Sequence, residues 1–323
     1  MPIARIITAV VLTLAMLYVA GTASRGRPEH IVHTDGPYTF DVTTVPKITA
    51  GQSDRLTITV LPELSPGHAV VYRTTGAERG KDTPVGEYYT RPAVLVESES
   101  LSYGVEVVAG ERGGREYYVF DVIDSSGTTV ARFADSDGSP MFVKYIGDVP
   151  NIVLIPHIVF MFVTVFCVVM AALHAIGLIR GGENARPMAW WLGLGTLSAV
   201  VGGYPFGFGM NWYAFGVIWE GVPFGTDATD NKTQLLVVYF LFVVLASLGS
   251  LTRGRFGKDL FEVRTLGWLG LSAFAFQLAV YLIPHSIQFP PALTCTVCYT
   301  VIGLVILAYL VALVRPRPGR ALR

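Results

Sequence analysis

The chain has 323 residues, with 24 basic and 24 acidic side chains and so a formal net charge of zero. Hydrophobic residues make up 52% and charged residues only 15%, with a positive mean hydropathy. That balance excludes an ordinary soluble protein of this length and points to a membrane protein.

Residues 6–21 form a short apolar run behind Arg5, ending in Ala20, Gly21, Thr22 and Ala23, small residues that suit a signal peptidase. Segment 1–23 therefore reads as a signal anchor or a signal peptide, and either sends the following residues outward.

Residues 35–148 have a different texture. Tyr38–Val42, Arg55–Val60, Ala69–Tyr72, Gly104–Val108 and Tyr117–Val122 are rich in β-branched and aromatic residues and are separated by Gly, Pro, Ser and Asp. Short alternating runs of this kind predict antiparallel strands with one dry face on each sheet. Asp124-Ser125-Ser126-Gly127 predicts a hairpin turn between two of them. At about 115 residues, the size suits an immunoglobulin-like β-sandwich, although no Cys-Trp-Cys pattern is present. An extracytoplasmic domain is expected over 24–150.

Five apolar stretches follow, at 152–179, 188–204, 233–251, 265–283 and 293–314. About 20 apolar residues cross roughly 30 Å of hydrocarbon as a helix. The expected fold is thus α+β: signal segment, sandwich, a five-helix transmembrane bundle over 151–315 and a short tail over 316–323. The cytosolic linkers hold Arg180, Arg186, Arg253, Arg255, Lys258, Arg264, Arg315, Arg317, Arg320 and Arg323, whereas the opposite loops hold only Lys232, ten against one. By the positive-inside rule, 24–150 and the loops 209–231 and 285–294 face outward and the C-terminus lies in the cytoplasm of a bacterial cell.

The loop 209–231 is long and aromatic. Trp212, Trp219 and Glu220 lie among the turns Tyr204-Pro205-Phe206-Gly207, Tyr213-Ala214-Phe215-Gly216 and Val222-Pro223-Phe224-Gly225. Gly and Pro predict that no single straight helix runs through it. An interfacial aromatic belt and a binding loop are both consistent with this composition. In the polar stretch that opens the next helix, Asp227 or Thr229 can cap free amides and Asp230 suits the helix dipole.

The segments Leu154-Ile155-Pro156-His157-Ile158-Val159-Phe160-Met161-Phe162, Tyr213-Ala214-Phe215-Gly216 and Trp219-Glu220-Gly221-Val222-Pro223-Phe224-Gly225-Thr226-Asp227-Ala228-Thr229-Asp230-Asn231-Lys232-Thr233 resemble those of a bacterial inner-membrane protein family to which no activity is attached. The resemblance implies the architecture and supplies no catalytic residue. The plan is also similar to that of copper-handling envelope proteins, but no methionine-rich motif carries that comparison.

The tetrapeptide Leu-Ile-Pro-His occurs at Leu154–His157 and again at Leu282–His285. With the topology above, both histidines lie near the outer face, at depths within about one turn of ~5 Å. Such a pair can ligate haem b, or share a transition-metal ion with Glu220, Asp227 or Asp230. Histidines at membrane ends also simply bind headgroups, loops or water. His174 lies about 25 Å further along the first helix and reads as a structural hydrogen-bonding residue. Cys295 and Cys298, three apart on one helix face, can form a redox or metal pair, and equally suit close helix packing. Cys167 reads as packing.

No Gly-rich phosphate loop, His-Glu-x-x-His or Gly-x-Ser-x-Gly elbow is present, and no basic face suits nucleic acid. Two readings of different class result. One is a haem- or metal-binding redox protein with an outer site. The other is a non-catalytic envelope anchor or assembly component whose sandwich binds an envelope partner protein. A small transporter is a third option, with Gly193, Gly195, Gly202, Gly203 and Pro205 suiting close packing or a broken helix.

Overall fold

The computed structural model describes residues 2–24, 30–77, 89–97, 101–135, 138–283 and 289–314. The chain divides into two compact units. One is helical, drawn from Met1–Arg25, Asn151–Met210 and Val217–Arg323; the other is β-rich, drawn from Gly26–Pro150 with Asn211–Gly216.

In the β-rich unit the described residues form eleven strands: β1 (His30–Asp35), β2 (Tyr38–Thr43), β3 (Lys47–Thr49), β4 (Ser53–Leu61), β5 (Ala69–Ala77), β6 (Tyr89–Pro92), β7 (Val94–Glu97), β8 (Ser102–Val108), β9 (Arg115–Ile123), β10 (Thr129–Phe133) and β11 (Met141–Ile146). They build two sheets, ordered β1-β2-β4-β8-β7 and β3-β11-β9-β5-β6, with β10 also on β9. All pairings are antiparallel except β3 with β11.

The period of two decides which side chains face inward. Tyr38, Phe40 and Val42 of β2, Leu56, Ile58 and Val60 of β4, and Tyr118, Phe120 and Val122 of β9 enter one core shared by both sheets. All five runs expected from the sequence are strands. The turn at Asp124 joins β9 to β10, its carboxylate accepting from the Ser126 hydroxyl at 2.6 Å and from the Ser126 and Thr128 amides at 2.8 and 3.0 Å.

Several polar groups inside this unit are paired, although the buried Tyr118 hydroxyl has no hydrogen-bond partner among the described residues. The Glu116 carboxylate accepts from the Tyr72 and Thr74 hydroxyls, each at 2.7 Å, and from the Tyr145 hydroxyl. Burial first, then Glu116, raises the Tyr72 and Tyr145 phenols above their ordinary pKa, so both remain donors. Asp121, fully buried on the outer side of β9, is held by Arg132 Nε and Nη2 at 2.7 and 2.9 Å and by Arg73 Nε at 2.8 Å.

The helical unit comprises α1 (Pro2–Ser24), α2 (Asn151–Ile179), α3 (Arg186–Val201), the first residues of α4 (Gly207–Phe215), whose later residues from Asn211 are grouped with the β-rich unit, α5 (Ala228–Ala246), α6 (Leu248–Thr252), α7 (Val263–Leu282) and α8 (Pro291–Val314). Five helices among the described residues are long and apolar enough to cross a membrane: those over Ile3–Thr22, Asn151–Ile179, Ala228–Ala246, Val263–Leu282 and Pro291–Val314. The stretch expected at 188–204 behaves differently. α3 ends after 16 residues and passes through a π-helical turn, Gly202–Phe206, directly into α4, so the helical course runs to Phe215 and the loop begins at Gly216. Pro205 explains the wider turn: it has no N–H to donate, and its ring would strike a carbonyl of an unbroken α-helix.

Small residues bring these helices together. A Cβ on Gly195 would lie 3.2 Å from Cys167 Cβ, one on Gly267 3.0 Å from the Ala175 carbonyl oxygen, and one on Gly270 2.4 Å from Met188 Sδ. Without a hydrophobic drive between helices in lipid, such close approach is the main source of packing energy. α1 joins this bundle through Ala9 and Met16, which cluster with Val165, Val169 and Met170 of α2.

Replacing Asp121 with Ala leaves two arginines facing each other without a counter-charge. Because both arginines are partly exposed, the expected loss is about 3 kcal/mol, the low end for a broken buried pair. Hydrogen exchange of the full-length protein should show it as lost amide protection along β5 and β9.

Candidate functional site

The carbonyl of Gly202, the first residue of the π-helical turn, has a side-chain donor in His157. Its Nδ1 lies 2.9 Å from the Gly202 carbonyl oxygen. A carbonyl can only accept, so Nδ1 carries the proton and Nε2 of the neutral ring carries the lone pair. The sequence marked His157 through its proline-histidine pair at a helix entry. Its main-chain partner left only an indirect trace, the Gly-Gly-x-Pro pattern at 202–205.

His157 lines a cavity of about 300 Å³ inside the helical unit. Leu17, Ala20 and Gly21 of α1, Ile158, Met161 and Phe162 of α2, Leu236 of α5 and Val280 of α7 form its apolar walls, and Thr229, Lys232, Thr233 and Tyr281 add polar groups. Lys232 Nζ donates to the Ile283 carbonyl at 2.7 Å, just past the end of α7. A cation at a helix C-terminus is favoured by the exposed carbonyls and the dipole. Thr233 Oγ1 donates to the Thr229 carbonyl at 3.1 Å, and the Tyr281 hydroxyl to the Met161 carbonyl at 3.4 Å.

Two of the three carboxylates considered as metal ligands, Asp227 and Asp230, have main-chain partners here. Asp227 is the N-cap of α5 and accepts from the Thr229 and Asp230 amides at 2.7 and 3.0 Å. Asp230, buried, accepts from the Glu220 amide at 2.6 Å, while Asn231 Oδ1 accepts from the Val222 amide at 2.9 Å. These bonds fold the stretch after Trp219 back onto the start of α5. Glycine is needed at Gly225, where a Cβ would lie 2.3 Å from the Glu220 carbonyl oxygen. The Trp219 ring stacks on Tyr204 at 5.5 Å and meets Phe208 edge-on at 5.8 Å, adding an apolar anchor.

Of the remaining candidates, Cys298 is buried and Cys295 half-buried, both thiols are free, and they pack with Val222, Leu235 and Phe276. Cys167 is buried in α2. His174 Nδ1 lies 3.3 Å from Arg5 of α1. His285 falls outside the described residues, and among those that are described no three His, Cys, Asp or Glu side chains gather as a metal-holding group. Comparison with known protein families and with curated proteins gives no match to this chain.

Asp230→Ala should strand the Glu220 amide and cost about 1–3 kcal/mol, read as faster proteolysis between Gly216 and Asp227 and a lower melting temperature in detergent. Gly203→Val meets a tighter limit, since even a Cβ there would lie 2.5 Å from Thr233 Cγ2. Overpacking of that kind should cost about 1–3 kcal/mol in the same melting experiment.

Proposed function

We propose that this protein is a multi-pass component of the bacterial cytoplasmic membrane that holds an immunoglobulin-like β-sandwich on the outer side and uses it to receive an envelope protein partner. The strand order carries this reading. With β2, β4, β8 and β7 taken as A, B, E and D, and β5, β9 and β11 as C, F and G, the two sheets follow the A-B-E-D and C-F-G order of an immunoglobulin constant-type sandwich. Tyr72, on the strand that would be C, stacks on Tyr118 of F at 5.5 Å, which fills the centre of the core without a disulfide.

The edge strand β1 is the best place for a partner segment to add. It pairs with β2, and Val32 on it is 66% exposed. The arginine-rich linkers support the orientation, and the five helices of spanning length support the membrane assignment. The contacts of α1 with α2, together with the Arg5 and His174 pair, support retention of α1 as an anchor.

Alkaline phosphatase fused after Pro150 should be active and the same enzyme fused after Val314 inactive. The reverse pattern would overturn the orientation. Crosslinking from a photoreactive residue at Val32 in intact cells should yield a discrete adduct with an envelope protein, whereas the absence of any adduct from β1 would remove the receiving module.

A haem- or metal-binding redox role is the second reading, and one observation favours it. An imidazole whose Nδ1–H is fixed on a backbone carbonyl presents Nε2 in the manner of an oriented metal ligand. His285 would be its partner on haem b or a transition-metal ion. Purified protein should then show a haem spectrum or stoichiometric metal that disappears in His157→Ala; protein free of both retires this reading.

A further inference from the structure

We propose that the cavity beside His157 is a binding site for a neutral single-chain lipid headed by a hydroxyl group, an isoprenoid alcohol or the hydroquinone of a prenylated quinone. The inference rests on the membrane reading and on retention of α1, since α1, α2, α5 and α7, all of spanning length, line the cavity. It does not rest on the haem reading, with which it competes for His157.

Charge sets the first condition. Lys232 lines the cavity, but it is served from within the protein: Nζ donates to the Ile283 carbonyl at 2.7 Å, and the Asp227 carboxylate acts on it electrostatically. An ionised head would therefore bring an uncompensated charge into a mainly apolar space, at a large desolvation cost. The occupant that fits is neutral.

Hydrogen bonding sets the second. The hydroxyl protons of Thr233 and Tyr281 already go to the Thr229 and Met161 carbonyls. His157 differs from them. Its Nδ1–H is held by the Gly202 carbonyl, and Gly202 is not among the described residues that line the cavity, so Nε2, across the ring, carries a lone pair turned from that contact. Among the described residues Nε2 has no partner, and it is not one of the unpaired side-chain atoms that are sealed from solvent. It therefore opens onto the space that its ring lines. A hydroxyl gives this acceptor the donor it lacks, whereas a ketone, ester or ether oxygen meets it lone pair against lone pair.

The walls set the third. Ile158, Met161 and Phe162 continue α2 beyond His157, Leu236 lies about one turn past Lys232 on α5, and Leu17 and Val280 face in from α1 and α7. Water or a short alcohol would satisfy Nε2 and leave these apolar side chains bare. A volume of about 300 Å³ holds a head and the first part of a chain, and falls at the low end for small-molecule sites.

The test uses full-length protein in nanodiscs and a diazirine-bearing hexadecanol as photoprobe. Labelling should map to peptides containing Met161 and Phe162 of α2 and Leu236 of α5. Hexadecanol should compete at least tenfold better than hexadecyl methyl ether, which keeps the oxygen but has no proton to give, and at least tenfold better than palmitate. Farnesol and a decyl hydroquinone should compete as hexadecanol does, the stronger of the two assigning the source, and the matching quinone should compete weakly. His157→Asn, which keeps an amide to donate to Gly202 but lacks the outer nitrogen, should weaken the alcohol about tenfold and leave the ether unchanged. Leu236→Trp, which fills the cavity from α5, should abolish labelling in protein that still elutes as a single species. Equal competition by the ether, equal or stronger competition by palmitate, labelling spread over the lipid-facing helices and indifferent to both variants, or a haem held by His157 would each overturn the proposal. The ether comparison is made on the unaltered chain, so it decides the matter even where a variant fails to fold. Alkaline carbonate extraction and the mass of the intact protein report separately on the membrane reading and on retention of α1, so their failure is distinguishable from failure of the site.

Discussion

In hydrocarbon every backbone N–H and C=O must find a partner within the protein, and each failure costs several kcal/mol. Straight helices meet that demand by themselves, and the features of the helical unit concentrate where they stop doing so. At the π-helical turn the Gly202 carbonyl takes its donor from His157. Past the end of α7 the Ile283 carbonyl takes one from Lys232. At the start of α5 the free amides are met by Asp227, and the returning loop presents the Glu220 and Val222 amides to Asp230 and Asn231. Between helices, Ser198 donates to the Phe160 carbonyl at 2.7 Å, tying α3 to α2.

These repairs explain why polar residues sit in segments otherwise fit for lipid. They also show how a structural part becomes a chemical one. A histidine used only to satisfy one carbonyl contributes on the order of 1 kcal/mol, the usual size of such bonds in membrane proteins. It nevertheless fixes its tautomer in doing so and turns its other nitrogen into an oriented acceptor. Lys232 likewise caps a helix while bringing a charge to the cavity wall. The close glycine contacts make the arrangement specific: Gly202, where a Cβ would lie 2.8 Å from Phe160 Cβ, and Gly203 beside Thr233 draw the broken helix against α2 and α5.

Much of this was legible in the residues, and the illegible part has physical reasons. The five strand runs were readable because alternation of apolar side chains survives wherever one face of a strand is buried, as in Leu56, Ile58 and Val60. The short strands β3 and β6 carry too few residues to show a period. A cap at the start of α5 followed from residue type and position, with Asp227 and Thr229 both eligible, and the fold uses Asp227. The continuation of α3 beyond Pro205 was hidden, because proline normally ends a helix and its tolerance depends on a wider turn that no side chain announces. Asp230 looked like a spare carboxylate, since its partner is the amide of Glu220, ten positions back in the chain and created by the folding of the loop. His157 was visible as a candidate, but its partner is a main-chain oxygen, which every residue possesses.

The direct test of this account is the tautomer of His157. In full-length protein with a ¹⁵N-labelled imidazole at that position, nitrogen resonance at neutral pH should show the proton on Nδ1 and a bare Nε2, and the Nδ1–H should exchange slowly. A proton on Nε2, or rapid exchange at Nδ1, would mean that the Gly202 carbonyl is satisfied by some other group and would contradict the account.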